Sequence, residues 1–189
     1  DRRHIKDKDL IALKKFSKSS INLEMALTQE MIDVAKKIKP SYICLVPEKR
    51  KEITTEGGIN IQKLSKKLFK SLHDVCLKYN ISLSAFIDPS KDQILMAKKY
   101  GFDTVEIHTG SLENKKVSKK EIERIISSIE FAYSQNLIVN AGHGLNFNNI
   151  KYLKNKKIIN AIHIGHFVIF ESIFVSLDKV IAKLKKITR

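Results

Sequence analysis

Six short apolar runs, each handed on to a segment with helical spacing, constrain this chain more than any other feature. The runs lie at 21–25, 42–46, 81–87, 104–108, 137–141 and 158–164. Helix-like segments follow them: Thr28 to Ile38, Ile61 to Tyr79, Asp92 to Tyr100, Ser118 to about Gln135, Phe147 to Lys154, and a last one reaching the C-terminus. Another, Leu10 to Phe16, precedes the first run. Thr28 and Ser118 have the hydroxyls that cap helix starts, and Glu121 stands three residues after Ser118 as in a capping box. Lys39-Pro40 and Gly101 are helix stops. Strand and helix in strict alternation build a parallel sheet covered by helices.

Two α/β architectures use that repeat. An open doubly wound sheet accommodates six strands, whereas a closed (β/α)8 TIM barrel needs eight in about 250 residues. No run ends in Gly-x-Gly-x-x-Gly, so a dinucleotide-binding sheet has no support. The 189-residue chain opens at Asp1 rather than Met, in a polar loop that leads into a helix. The expectation is one domain, residues 1–189: a β/α barrel lacking roughly its first two βα units. Its shortfall of ~60 residues against a typical barrel matches two units.

Composition removes several classes of function. The net charge is +15, yet all but five of the 35 cationic residues are Lys, and Trp is absent. The Lys pairs recur on every helix, as an AT-rich coding sequence would give. A nucleic-acid site concentrates Arg and aromatics on one face, so no nucleic-acid partner is expected. The charge better suits phosphate ligands. No apolar run reaches the ~20 residues of a membrane helix, and no secretory segment opens the chain. Cys44 and Cys76 belong to no Cys-x-x-Cys pair and read as buried free thiols. A cytoplasmic location is expected.

Chemistry collects where the runs end. Glu24, Glu48, Asp88, Glu106 with His108, His143 and His166 all stand at or just after strand C-termini. In a barrel these positions ring one mouth. The stretch Val139-Asn140-Ala141-Gly142-His143-Gly144-Leu145 brackets one histidine between glycines where a strand gives way to a turn. An ordinary βα turn with a hydrogen-bonded His is the alternative there. No Lys projects from a strand interior, so a Schiff base lacks its nucleophile. Ser and Cys nucleophile motifs are missing as well. What remains is carboxylates and imidazoles, the equipment of general acid/base catalysis on carbonyls and hydroxyls. His143, His166 and Glu24 are conceivable metal ligands, but no His-x-His or His-x-x-x-His pair supports that, and none is expected. Gly144 and Gly165-His166 follow the last two runs, where barrels commonly bind phosphate.

Several stretches together resemble one family, pyridoxine 5'-phosphate synthase. They are Asp1-Arg2-Arg3-His4-Ile5, Asn22-Leu23-Glu24-Met25, Cys44-Leu45-Val46-Pro47-Glu48-Lys49-Arg50, Thr54-Thr55-Glu56-Gly57-Gly58 and Phe86-Ile87-Asp88. Further on come Glu106-Ile107-His108-Thr109-Gly110, Val139 to Gly144, and Ile164-Gly165-His166. The resemblance implies an eight-stranded β/α barrel that oligomerises, to an octamer, and needs no metal or organic cofactor. Its reaction condenses 1-deoxy-D-xylulose 5-phosphate with 3-amino-2-oxopropyl phosphate to pyridoxine 5'-phosphate, inorganic phosphate and water. It also implies roles: Glu24 as general base, His143 as general acid and Glu106 as transition-state stabiliser. His4 and Thr54 would hold the deoxyxylulose phosphate, and Gly144, Gly165 and His166 the aminooxopropyl phosphate.

Two departures accompany the resemblance. The family's opening units, with part of both substrate sites, are missing, so the isolated chain is expected to be inactive. Phe170-Glu171 stand where the family runs through a Gly-Arg pair, which places an acidic residue near the second phosphate site or simply in solvent. The alternatives are a non-catalytic remnant and another phosphosugar barrel, an epimerase or aldolase.

Overall fold

In the computed structural model the described residues are 2, 4–47, 57–114, 116–153 and 157–188. The order is α1 (Asp7–Phe16), β1 (Asn22–Met25), α2 (Gln29–Ile38), β2 (Tyr42–Leu45), α3 (Lys66–Tyr79), β3 (Ser82–Ile87), α4 (Lys91–Tyr100), β4 (Thr104–His108), α5 (Lys119–Ser134), β5 (Ile138–Gly142), β6 (Ile159–His163), α6 (His166–Ser172) and α7 (Leu177–Thr188). All five strand pairings are parallel, and the sheet order is β1-β2-β3-β4-β5-β6.

That order decides between the two architectures. A doubly wound sheet reverses direction at a switch point and so scrambles its strand order. Here every crossover steps the same way, and right-handed crossovers of one sense place all helices on one face. The result is a curled, barrel-like sheet of six parallel strands. β1 and β6 are its edges and do not pair with each other.

Strand alternation sorts the two faces. Ile43, Leu45, Leu83, Ala85, Ile87, Val105, Ile107, Val139 and Ala141 join Ile32, Ala35, Leu72, Ile94, Ile125 and Ile129 of the helices in one buried core. The intervening residues turn to the concave face. There Glu24, Cys44 and Ser84 are register partners in one row, and Phe86, Glu106 and Asn140 in the next. Removing that outer-face apolar area from water drives the fold, at about 25 cal/mol per Å². The concave face is thereby left free to be polar.

Three helical expectations are corrected. The stretch 61–79 is a 3-10 turn, Ile61–Lys63, followed by α3, because Asn60 and Ser65 each take a backbone N–H (of Gln62 and Leu68) and start two separate elements. Of the stretch expected as a helix over 147–154, the described residues 147–153 hold a 3-10 turn, Ile150–Leu153, since the Asn146 and Asn149 side chains bind nearby amides instead. The last helix is two: α6 closes around Ile173–Val175, and Ser176, bonded to Asp178, opens α7. The capping box on α5 is half formed: Ser118 accepts from the Glu121 N–H, but the Glu121 carboxylate goes to Arg124 and Ser111.

Candidate active site

Glu106 is the centre of the concave face. It sits mid-strand on β4, 2% exposed, and one of its oxygens, Oε2, lies 2.6 Å from His163 Nδ1 and 3.8 Å from Cys44 Sγ. Among the described residues no hydrogen bond ends on Oε1. That oxygen lies over Gly142, where a Cβ would meet it at 2.2 Å and His163 Cβ at 3.2 Å. Gly142 is therefore glycine so that the Glu106 carboxylate can cross in front of it.

Two strands, β1 and β6, bring titratable charge to that carboxylate, and β2 brings a thiol. Glu24, on edge strand β1, has water on one side but faces the mouth. Desolvation first, and the Glu106 charge second, push its carboxyl above the usual range, with His163 opposing. The Glu106 hydrogen bond, followed by the charges of Glu106 and Glu24, pulls the His163 imidazole upward against burial. Edge residues of β1 and β6 thus feel the same central group, as a curled sheet requires. Cys44 is fully buried; desolvation and then the Glu106 charge hold its thiol well above the usual range, so it is no nucleophile.

His143 follows β5 directly, at φ +76°. Left-handed backbone is costly for a residue with a Cβ and persists only where its surroundings fix it. They do so here. The Thr109 hydroxyl donates to the carbonyls of Gly142 and His143, both at 2.7 Å, and the Thr109 N–H adds a bond of 2.8 Å to Gly142 O. Asn149 donates to Gly144 O at 2.7 Å and Leu112 O at 3.1 Å. Gly144 is also left-handed, at φ +64°, and a Cβ there would fall 2.8 Å from Gly110 Cα. The ring of His143 packs against Phe86, with centroids 4.7 Å apart, and His108, at 5.5 Å, and those two rings touch each other at 5.1 Å. Burial first and the neighbouring His108 second lower its pKa, with Glu106 opposing. His108 in turn bonds Asp88 at 3.1 Å, and Asp88 also accepts the Gly58 N–H.

The structure therefore brings Glu24, Glu106 and His143 to one face, with Gly144 in the adjoining turn. His166 and Gly165 start α6 and are exposed. Phe170 is exposed and Glu171 half-buried, a turn further on. His4 is exposed ahead of α1 and enters none of the contacts around Glu106. Thr54 and Glu48 lie outside the described residues. Among the described residues no cluster of three His, Cys, Asp or Glu is placed to hold a metal, and no helix is long and apolar enough to cross a membrane.

Sequence reasoning missed His163, Thr109 and Asn149. His163 sits within a run read simply as apolar, and its only signal was the alternation Ile162-His163-Ile164, which turns the histidine away from its neighbours' apolar face. A register shift between β5 and β6 at Val139/Asn140 hid which residues of β6 share the concave row.

A family model described as "Pyridoxal phosphate biosynthesis protein PdxJ" matches residues 1–189. Pyridoxine 5'-phosphate synthase of Prochlorococcus marinus (strain AS9601) is 46% identical over 193 residues, covering 99% of this chain and 79% of that protein. The protein of the same name from Ehrlichia chaffeensis (strain ATCC CRL-10679 / Arkansas) is 41% identical over 186 residues, with coverages of 98% and 77%. Among solved structures, tryptophan synthase subunit alpha from Campylobacter jejuni superposes with a TM-score of 0.63 at 15% identity, over 97% of this chain and 71% of the other. A likeness at that identity shows the fold alone.

Proposed function

From the premise that the chain belongs to the pyridoxine 5'-phosphate synthase family, we propose that its concave site condenses 1-deoxy-D-xylulose 5-phosphate with 3-amino-2-oxopropyl phosphate, releasing pyridoxine 5'-phosphate, inorganic phosphate and water. The observation that carries this reading is the carboxylate pair Glu24 and Glu106 sharing one face with His143. An amine must add to a ketone, water and phosphate must leave, and an aldol-type closure must make the ring aromatic. Every step moves a proton, and positioned acids and bases are worth 10²–10⁴-fold each.

Glu24 fits the general base. A carboxylate held above its usual range binds a proton more firmly than an ordinary one, which is what a general base needs. Glu106, with one oxygen occupied and the other uncommitted, fits a fixed negative charge facing a developing cation. His143 fits the general acid in a particular order. Its depressed pKa leaves it neutral at rest, so the proton it gives to departing water or phosphate is one it has first taken from the substrate. His4 and Thr54 are assigned to the deoxyxylulose phosphate, and Gly144, Gly165 and His166 to the aminooxopropyl phosphate. A net charge of +15 favours the approach of such ligands.

We read the six units, as one domain over 1–189, as part of an eight-unit barrel. Two free sheet edges, and an apolar groove of about 650 Å³ between β6 and α7 lined by Ile159, Ile162, Ile181 and Leu184, are surfaces against which two more βα units would pack. We place the protein in the cytoplasm as a homo-oligomer, an octamer in its full form. The test is pyridoxine 5'-phosphate formation by the product of the protein's own gene, given both substrates. Product is expected. A folded, oligomeric protein that forms none overturns the reading and favours a non-catalytic remnant.

A further inference from the structure

We propose that His163 is a positioning residue for Glu106: it fixes the carboxylate by occupying Oε2, so that Oε1 alone is presented to substrate beside the Gly142-His143 turn. The inference rests on the proposed reaction and names a residue that neither the charge pattern nor the motifs single out. Its basis is geometric. The Nδ1 to Oε2 distance is 2.6 Å, a close direct contact, shorter than the about 2.7–2.9 Å of an ordinary charge-assisted N–H to carboxylate bond. The Cys44 Sγ lies 3.8 Å from that same oxygen. With both described partners on Oε2, rotation of the carboxylate would break both contacts at once, in a site where Glu106 is buried. Gly142 clears the space that Oε1 occupies.

The same contact has an electrostatic consequence. The groups facing Glu106 are Cys44 from β2, Glu24 from β1, His143 after β5 and His163 from β6. Glu24 is the second carboxylate at this mouth, and the Glu106 charge raises its proton affinity. Protonated His163 offsets that repulsion and leaves Glu24 ionised at a lower pH than it would otherwise need. His163 thus sets both where the stabilising oxygen points and where the base titrates.

The test compares pH profiles of kcat for wild type, His163→Ala and His163→Asn, with an imidazole titration by NMR in wild type and Glu106→Gln. A loose carboxylate should lower kcat of His163→Ala roughly 10- to 100-fold, since small misplacements cost up to about 10²-fold, with KM changed far less. His163→Asn, which puts an uncharged N–H donor near the Nδ1 position, should recover most of kcat while the acid limb stays shifted to higher pH. In Glu106→Gln the His163 imidazole should titrate at lower pH. Wild-type kcat and acid limb in His163→Ala, or an imidazole titration unmoved by Glu106→Gln, would overturn the proposal. A wild-type protein that makes no product overturns the proposed reaction instead, and the titration alone then decides whether the pair holds.

Discussion

Function at the residue scale rests on groups the fold tolerates at a cost. Glu24 is held above its usual range, so the folded state takes up its proton more readily than the unfolded chain does. By linkage, stability from this group grows as pH falls through the raised pKa, and the cost is carried at neutral pH. Glu24→Gln should therefore melt at the same temperature as wild type or higher near pH 7, while turnover drops by about 10² or more. His143→Ala should lose turnover similarly with little change in substrate binding. Near-wild-type turnover in either variant, measured with both substrates saturating, would remove the acid/base assignment. Gly142→Ala isolates the neighbouring demand. Its backbone needs no left-handed conformation, yet the added Cβ meets Glu106 Oε1 at 2.2 Å and must displace the carboxylate. The expected outcome is a protein with native circular dichroism and turnover reduced as severely as in Glu106→Gln.

Among elements, α5 is tied to the turn after β3 by one side chain. Arg124 donates to Pro89 O at 2.8 Å and to Glu121 Oε1 at 2.6 Å, and Ser111 Oγ completes the Glu121 carboxylate at 2.7 Å. Arg124 first, with Ser111 assisting, pulls the Glu121 carboxyl down to about 2. A depressed carboxyl stabilises the fold above its unfolded pKa and loses that contribution as pH falls towards the folded one. Arg124→Met should lower the melting temperature by a few degrees near pH 7, as about 1 kcal/mol does in a chain of this size. The gap should narrow between about pH 4.5 and pH 2 in thermal melts. A gap constant with pH would mean that the bond to Pro89, not the carboxylate, does the tethering. Elements of this kind were legible in proportion to how local their causes are. β4 was read residue for residue, and Thr28 and Ser118 cap the helices they were expected to cap. Where a competing side chain intervened, periodicity misled: Leu64 continues the apolar spacing of α3, but Ser65 starts a new helix. Glu24 and His143 were visible because strand ends concentrate polarity; Glu106 was expected at a strand end but lies in the middle of β4, and was visible as a carboxylate within an apolar run. His163 and Thr109 were not, because their value lies in partners 57 and 34 residues away.

The whole molecule carries a charge that should keep copies apart, except along one segment. From 158 to 178 there is no Lys or Arg, in a chain with 35 of them. Within that stretch Ile169, Phe170, Ile173, Phe174, Val175 and Leu177 are exposed by 44–74%, and the Phe170 and Phe174 rings pack edge to face at 5.4 Å. Val168 of α6 packs with Ile150, Val180 and Leu184 in a small cluster beside the main core, and these residues stay outside it. An apolar, cation-free patch on an otherwise cationic surface is where two identical copies can meet without repulsion, and self-complementary patches of this kind build closed symmetric assemblies. The proposed oligomer should accordingly depend on this face. Ile173→Asp and Phe174→Lys should each lower the mass measured by sedimentation velocity, with circular dichroism unchanged. Leu77→Lys, at a comparably exposed apolar position on α3, should leave the mass as in wild type. If both the Ile173 and the Phe174 variants keep the wild-type mass, the subunits meet elsewhere. If Leu77→Lys also dissociates, general charge repulsion rather than a specific contact limits assembly. A selective loss in the Ile173 and Phe174 variants would show that the chain runs directly from the edge strand β6 into the residues that join the subunits.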